Sequence, residues 1–557
     1  MRQFCRLRSR TMSVGVFIIS NANTGEVPRK TGRHMFKTVV ATLCAIVCLS
    51  GAVLAESVVH RGNRGEPDTL DPHKTANGWE ASIATELFMG LTAAGPRGQV
   101  LPGVAQSWTI SDDGLTYRWV LREGLQWSDG QALTSADIVY SYRRLLDPAT
   151  ASPFASLLYA IKNAEGINTG GANASSLGVR AEDDLTVVMT LEHPAPYLPQ
   201  LLMHRGLPAP RHVVEAVGPR WARPGTFVGN GVFTLAEWVP QSHVRLERNP
   251  RFFDAESIAL DALYFHPAEN LAAAITQFRA GELDVVPSLP QDRLAWVEEN
   301  MPGALRVHPS LGVEYLVFNT NRPPFDDVRV RQALSMAVAR PVLVNNFLKG
   351  GEIEAYSIVH PDVMGNLGVY RPPALQSNDA GRLKQAEELL RDAGYDRANT
   401  LKFTARFNNQ DIIAATMDVV ARMWSRLPVE VELLGSDTPT LYADTRSGNF
   451  EVARAAWYPE AVDPSAYLYL LKSTSGPMNQ SGFRNPNFDE LLNQADREVD
   501  PQKRLALYRQ AEVVLGNDQP VAPLFFYAYR MLVSPKIRGW ENYNRNLHPG
   551  RFLSVTD

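Results

Sequence analysis

The distribution of cysteine most strongly limits how this chain can fold. All three cysteines lie near the start of the chain, at Cys5, Cys44 and Cys48, and the rest of the 557 residues contain none. The body of the chain therefore cannot use disulfides, a catalytic thiol, or zinc and iron–sulfur centres bound by cysteine. Its length allows about three to five domains. Such a body would tolerate an oxidising compartment.

The segment that carries these cysteines has the pattern of an export signal. From Met35 it reads MFKTVVATLCAIVCLSGAVLA, with Lys37 in a short positive region, an apolar run over 39–49 and small residues where signal peptidase cuts. We predict cleavage after Ala55 and a secreted product. Two alternatives stay open, namely an uncleaved anchor helix and a true start codon at Met35.

Charge and composition exclude several classes of protein. Hydrophobic residues make up 45% of the chain and charged residues 20%, which is typical of a soluble globular protein. The first 55 residues hold eight basic residues and one acid, so the remainder has 47 basic and 58 acidic residues, a net charge of −11. This remainder has no basic excess for binding nucleic acid, and no apolar run in it reaches the ~20 residues of a membrane span.

Short strands and amphipathic helices alternate irregularly, which predicts an α/β fold. Apolar runs and period-two patterns predict strands over 116–122, 185–191, 244–247, 315–319 and 429–434. Helices are predicted after the caps at 134–135 and 326–327, over 383–393, and as a pair over 488–499 and 502–515. Breaks rich in proline and glycine, at 194–210, 219–231 and 361–377, are candidate linkers.

Short signatures of catalysis are missing from the sequence. It has no GxxxxGKS/T phosphate loop, no GxGxxG after a strand, and no HExxH, GxSxG or CxxC. The eleven histidines are scattered without an i, i+4 pair, so neither a metal nor an organic cofactor is predicted. Aspartate pairs at 112–113, 183–184 and 326–327 flank turns or helix starts, where capping explains them. This pattern favours a binding protein over an enzyme.

Seven collinear stretches resemble one family. They are PDTLDPHKT (67–75), LFMGLTAAGPRGQVLPGVAQSW (87–108), LREGLQWSDGQALTSADIVYSYRRLLDP (121–148), ATASPFASLL (149–158), NGVFTLAEWVPQSHVRLERNPRFF (230–253), VFNTNRPPFDDVRVRQALSMAV (317–338) and FEVARAAWYPEAVDP (450–464). In this order and spacing, residues 56–557 resemble the periplasmic oligopeptide-binding proteins of ABC peptide importers, within family 5 of the extracellular solute-binding proteins.

The resemblance implies a fold and its division into domains. The expected fold is an α/β, two-lobed periplasmic-binding-protein fold of class II, cluster C type, with an additional domain and a two-strand hinge. Residues 1–55 form the N-terminal extension and signal peptide. Domain I comprises 56–88, 213–311 and 530–557, domain II comprises 89–212, and domain III comprises 312–529.

The resemblance also implies a function. A monomer in the periplasm binds an oligopeptide between its lobes, and the closed form is recognised by an ABC permease in the inner membrane, without enzymatic activity or nucleic acid. Receptors for dipeptides, murein peptides, metal complexes or sugars belong to the same family, so these ligands stay open. A secreted hydrolase and a chaperone-like protein are alternatives from other classes.

The segment at 454–460 resembles the ligand-binding strand of the family. By this resemblance Arg454, Ala456, Trp457 and Tyr458 line the ligand, and Glu460 receives the peptide α-ammonium. Glutamate replaces the usual aspartate there, and Asp463 is a nearby substitute. Trp457 as ordinary core and Glu460 as a surface residue are the alternatives.

Further contacts are implied elsewhere in the chain. Arg446 and Arg454 align with arginines that face the peptide carboxylate, for which a guanidinium fork is suited, although a structural ion pair is the alternative for each. The segment Ala76-Asn77-Gly78 and the aromatic Phe154, which replaces a more usual tyrosine, would approach the ligand backbone. Asn408 would supply a polar contact.

Overall fold

The structure of the protein is a computed structural model that describes residues 56–556. The predicted signal peptide and its cleavage site after Ala55 lie outside the described residues. From residue 56 onward the chain forms one compact unit. The strands are β1 (Val58–Asn63), β2 (Thr92–Ala94), β3 (Val100–Pro102), β4 (Ala105–Ile110), β5 (Thr116–Leu121), β6 (Val179–Asp183), β7 (Thr186–Thr190), β8 (Phe233–Val239), β9 (His243–Arg248), β10 (Ala262–Pro267), β11 (Val285–Val286), β12 (Leu305–Phe318), β13 (Ile353–Glu354), β14 (Leu401–Asn408), β15 (Val429–Ser436), β16 (Val452–Trp457), β17 (Val521–Val533), β18 (Ile537–Arg538) and β19 (Ser554–Val555).

Helices surround these strands, so the mixed α/β architecture predicted from the sequence is confirmed. They are α1 (Gly78–Leu87), α2 (Ser135–Leu146), α3 (Ala164–Asn168), α4 (Leu198–Leu201), α5 (Arg211–Val217), α6 (Leu271–Ala280), α7 (Leu294–Asn300), α8 (Val328–Ala337), α9 (Asp379–Asp392), α10 (Asp411–Trp424), α11 (Thr438–Ser447), α12 (Ser465–Leu468), α13 (Pro486–Arg497) and α14 (Pro501–Asp518). The predicted cap of α2 is a capping box between Thr134 and Asp137.

One large sheet runs through the molecule, and two long strands join its halves. Its order is β15-β14-β16-β12-β17-β11-β1-β10-β9-β8, with β13 also paired to β17. Strands β12 and β17 pair antiparallel from Leu305 opposite Leu532, and the register shifts between Pro309 and Val313 before pairing resumes. A separate four-stranded sheet has the order β4-β5-β7-β6. The predicted domain boundaries stay a prediction.

The side chains of β12 alternate between two hydrophobic cores. Leu316 and Phe318 are buried in one core, which the helices α8 and α10 share, and Tyr315 and Val317 are buried in a second core with α13 and α14. This period of two is the geometry of a strand covered on both faces. Because the neighbouring strand β16 pairs with β12 in register, with Leu316 opposite Arg454, it carries the candidate site residues on the same framework.

Buried Glu512, on α14, predicts a pH-dependent stability. Its Oε1 accepts a hydrogen bond from Ser357 at 2.5 Å, and burial raises the pKa of Glu512 to about 7 against the lowering effects of Ser357 and Arg509. A carboxyl with a raised folded pKa stabilises the protein at low pH and loses this contribution as pH rises through about 7. Glu512→Gln should therefore remove up to about 3 kcal/mol of the fall in unfolding free energy between pH 5 and 8.

Denaturant unfolding of both proteins at pH 5 and pH 8 measures this difference. Burial also raises the pKa of Glu86 to about 7. Glu86 is present in both proteins, so its contribution to the pH dependence cancels in the comparison. Parallel pH profiles for the unchanged protein and Glu512→Gln would contradict the prediction.

Candidate functional site

One edge of β16 is open where the predicted site residues lie. Strand β16 pairs with β12 along its whole length, from Val452 to Trp457. On its other side β14 pairs only with Val452 and Ala453. Within residues 56–556, the β14-facing edge of 454–457, including half-buried Ala456, therefore has no strand partner. Unpaired backbone groups on such an edge are a template for an added strand.

Arg454 is held by a buried network that includes the predicted residue Asn408. Its Nε and Nη2 donate to the two carboxylate oxygens of Glu314 at 2.6 and 2.5 Å, its Nη1 to Asn408 Oδ1 at 3.1 Å, and its Nη2 also to the Tyr527 hydroxyl at 2.8 Å. Burial opposes the charge, but Glu314 and Tyr527 outweigh it and raise the pKa of Arg454. The guanidinium is thus paired within the protein, and its contact with a ligand carboxylate stays a prediction.

Two aromatic side chains at the end of β16, Trp457 and Tyr458, lie beside this network. Tyr458 is 52% exposed and stacks on Tyr527 with ring centroids 5.2 Å apart. It also covers Gly312, where an added Cβ would lie 2.3 Å from the Tyr458 ring, so a larger residue there would displace the ring. Trp457 is half-buried, and its indole N–H donates to the Ala466 carbonyl at 2.7 Å, which fixes the ring orientation.

Glu460 and Phe154, predicted from separate stretches, are brought together by an arginine. Glu460 Oε2 lies 3.2 Å from both His204 Nε2 and Arg205 Nη2. The Arg205 guanidinium carbon lies 3.6 Å from the centroid of the Phe154 ring. Arg545 completes the group, since its Nη2 lies 3.0 Å from His204 Nε2. We call Glu460, His204, Arg205 and Arg545 the Glu460 cluster.

The charge states within the Glu460 cluster follow from its burial. Burial raises the pKa of Glu460, but the His204 hydrogen bond and the charges of Arg205 and Arg545 outweigh it and lower that pKa to about 2. Burial and Arg545 lower the pKa of His204 to about 3. Near neutral pH the cluster therefore holds an ionised carboxylate, a neutral imidazole and two guanidinium cations.

The segment Ala76-Asn77-Gly78 forms the start of α1. Glu80 Oε2 accepts hydrogen bonds from the backbone N–H groups of Ala76 at 2.7 Å and Asn77 at 3.2 Å, and Asn77 caps the helix. An added Cβ on Gly78 would meet no atom within 4 Å, so this backbone faces open space. The carboxylate of Glu80 therefore fixes a segment that is accessible to a ligand.

Two predicted residues lie apart from these groups. Arg446 is exposed at the end of α11, with its guanidinium carbon 5.9 Å from the Tyr442 ring centroid; no hydrogen bond or ion pair joins it to another residue of the described chain. Asp463, the substitute considered for Glu460, is buried and accepts two hydrogen bonds from Arg504 at 2.7 and 3.0 Å. Asp463 therefore already has a counter-ion.

The partners of the predicted residues were not predictable from local sequence patterns, with one exception. His204 and Arg205 lie within the break at 194–210 that is a predicted linker, and Arg545 lies outside every family-like stretch. Glu314 carried a usable signal, because it directly precedes the apolar run YLVF (315–318), and a charged residue within a buried strand requires a partner.

The described residues offer neither a metal centre nor a membrane span. No group of three or more histidine, cysteine or acidic side chains within 56–556 is arranged to hold a metal ion. In the same range, no helix combines the length and apolar character that crossing a bilayer needs.

Comparisons with known proteins agree over most of the chain. Residues 99–479 match the family described as bacterial extracellular solute-binding proteins, family 5 Middle. The chain is 36% identical to the probable deoxycholate-binding periplasmic protein YgiS of Escherichia coli, over 88% of this chain and 91% of that protein. It is 33% identical to the periplasmic oligopeptide-binding protein OppA of Salmonella typhimurium, with 88% and 91% covered. The unliganded open form of the murein tripeptide-binding protein MppA superposes with a TM-score of 0.80 at 33% identity, with 90% and 98% covered.

Proposed function

Because the chain belongs to family 5 of the bacterial extracellular solute-binding proteins, we propose that it captures oligopeptides between two lobes and delivers them to an ABC importer. A relative at 33% identity is named a periplasmic oligopeptide-binding protein. The two-lobed α/β fold expected for this family is supported by the superposition on the open form of MppA. The protein is a binding component of a transport system.

The open edge of β16 is the observation that carries the proposal for peptide. All peptides share a backbone of N–H and C=O groups, so a strand edge can hold peptides of different sequence by forming one more strand. The edge over 454–457 has this geometry, since β14 leaves it after Ala453. We propose that the ligand contacts are made by Ala76, Asn77, Gly78, Phe154, Asn408, Arg446, Arg454, Ala456, Trp457, Tyr458 and Glu460.

Movement between the lobes would admit the ligand. The large sheet supports domain boundaries near residues 311 and 530, because among the strands of residues 56–556 only β12 and β17 run through both halves. Polar contacts also join the proposed lobes. They include Glu460 with Arg205, and the Val462 N–H with Gln200 Oε1 at 3.1 Å. We propose that a hinge rotation about β12 and β17 separates these contacts and opens the cleft.

The remaining features of the proposal follow the family. We propose that the protein acts in the periplasm as a monomer after cleavage behind Ala55, that its closed form docks on an inner-membrane ABC permease, and that it has no enzymatic activity. Intact peptides recovered after prolonged incubation with the protein would support this, whereas peptide turnover would favour the hydrolase alternative.

A carboxylate-bearing steroid such as deoxycholate is a second candidate ligand. A relative at 36% identity is named a probable deoxycholate-binding protein, and the two guanidinium groups of the Glu460 cluster suit an anionic ligand. Titration calorimetry with peptides of two to five residues and with deoxycholate separates the two candidates. The proposal expects saturable one-to-one binding of peptides; binding of deoxycholate alone would overturn it in favour of the second candidate.

Ligand affinity should change by less than about threefold between pH 5 and pH 7. Glu460 stays ionised and His204 neutral throughout this range, because their pKa values are lowered to about 2 and 3, and a threefold change corresponds to less than half a pKa unit of differential binding. Calorimetry at pH 5, 6 and 7 measures this. A tenfold change with a midpoint near pH 6 would show that His204 titrates in the site.

A further inference from the structure

We infer that the Glu460 cluster binds a carboxylate group of the ligand, at the place where the family pattern implies an ammonium. The inference rests on the proposed function, since it identifies the chemical group that enters one end of the cleft. It depends on three observations, namely the excess of cations in the cluster, unpartnered guanidinium donors, and the pairing of Glu460 and its neighbouring carboxylates with arginines.

The first observation is the charge balance of the cluster. Glu460 contributes one negative charge, Arg205 and Arg545 contribute two positive charges, and His204 is neutral. Besides Glu460 and Arg205, the side chains that act on Arg545 include the phenols of Tyr543 and Tyr529, neither of which is a carboxylate. A ligand ammonium would therefore enter a region of net positive charge, whereas a carboxylate would neutralise it.

The second observation is that donors in the cluster lack acceptors. Arg205 Nε and Arg545 Nη1 are buried and have no hydrogen-bond partner within the described residues. A buried donor without an acceptor is costly, and a carboxylate with two oxygens is the acceptor that a guanidinium fork binds best.

The third observation concerns the carboxylates around β16. Glu314 is paired with Arg454, Asp463 with Arg504, and Glu460 with Arg205. Asp362 lies close to this region, where its carboxylate accepts a hydrogen bond from the side chain of Asn544, the residue before Arg545. An ammonium at Glu460 would have to compete with Arg205, whose guanidinium is also held against the Phe154 ring. Capture of an ammonium is thus opposed by a contact already made.

Matched peptides test the inference on the purified protein. Ala-Ala-Ala, its N-acetylated form and its C-terminal amide differ only in their end charges, and calorimetry gives the affinity of each. The inference expects amidation to weaken binding at least tenfold and acetylation to weaken it less than threefold. Arg205→Gln and Arg545→Gln should each weaken the free peptide about tenfold and abolish the difference between acid and amide.

Control variants separate this role from other effects. Arg205→Lys should keep part of the preference for the acid, because it retains the charge. The exposed Arg180→Gln, outside the proposed site, should retain the full effect of amidation, which would show that loss of an arginine elsewhere does not remove the preference for the acid. Thermal melting of each variant verifies that it is folded.

The outcomes distinguish the inference from the proposed function. If acetylation weakens binding tenfold while amidation has no effect, the inference is wrong and the peptide receptor stands. If no peptide binds but deoxycholate binds and Arg205→Gln abolishes it, the carboxylate site stands and the peptide function is wrong. If neither peptides nor deoxycholate bind, both are wrong.

Discussion

Glu314→Ala should lower the free energy of unfolding by about 3–5 kcal/mol, because it leaves the buried Arg454 guanidinium without its counter-charge. Both side chains are almost inaccessible to solvent, and two charge-assisted hydrogen bonds of 2.6 and 2.5 Å join them. Denaturant unfolding at pH 7 measures the loss. In this variant Arg454 can still donate hydrogen bonds to Tyr527 and Asn408. The cost is therefore mainly that of a buried charge without a counter-charge.

Two controls make this prediction specific. Glu430→Ala removes an exposed carboxylate that pairs with Lys402, and it should cost less than about 1 kcal/mol. The double variant Glu314→Leu with Arg454→Met removes both charges together and should recover most of the lost stability. A loss below about 1 kcal/mol for Glu314→Ala would mean that Arg454 remains hydrated or paired elsewhere, against the network described here.

A disulfide between residues 114 and 499 should slow ligand exchange at least a hundredfold. Gly114 lies in the turn between β4 and β5, and Val499 lies between α13 and α14, so the bond would join the two lobes as their boundaries are proposed above. An added Cβ on Gly114 lies 3.3 Å from Val499 Cγ1, the atom that the cysteine sulfur would replace, which suits disulfide geometry. The positive φ of Gly114, 71°, costs a cysteine there roughly 1–2 kcal/mol.

Stopped-flow measurement of ligand association, followed by intrinsic tryptophan fluorescence, tests the effect of this disulfide. The experiment uses the segment 56–557, which has no cysteine of its own. Oxidised Gly114→Cys/Val499→Cys should bind slowly, and a reducing agent should restore the rate. Each single cysteine variant is the control for strain at its position. Equal rates for the oxidised and reduced double variant would contradict the hinge, because ligand would then enter without separation of the lobes.

The sequence predicts local elements well and long-range pairing poorly. The helix after Thr134-Ser135 is present as α2 with its cap, because capping depends on residues three apart. Strand β12 was predicted only at its apolar end, over 315–319, whereas it begins at Leu305. Its first part, LRVHPSLG, has no clear alternation, and it becomes a strand because β17 pairs with it.

The same limit applies to the site. The stretch at 454–460 was identifiable because its consecutive residues share one motif. The pairing of Arg454 with Glu314 spans 140 residues, and that of Glu460 with Arg205 spans 255. No spacing rule connects such pairs, because tertiary packing brings them together. The charge of the Glu460 cluster, which distinguishes a carboxylate site from an ammonium site, was therefore not predictable from the sequence.

Native mass spectrometry of the segment 56–557, purified without refolding, tests the central claim most directly. A peptide receptor should retain a heterogeneous set of added masses that match peptides of about two to five residues, one per protein molecule, and an added peptide library should exchange with them. A single homogeneous mass that matches no peptide, or a protein that stays empty in the presence of the library, would contradict the claim that this cleft captures oligopeptides.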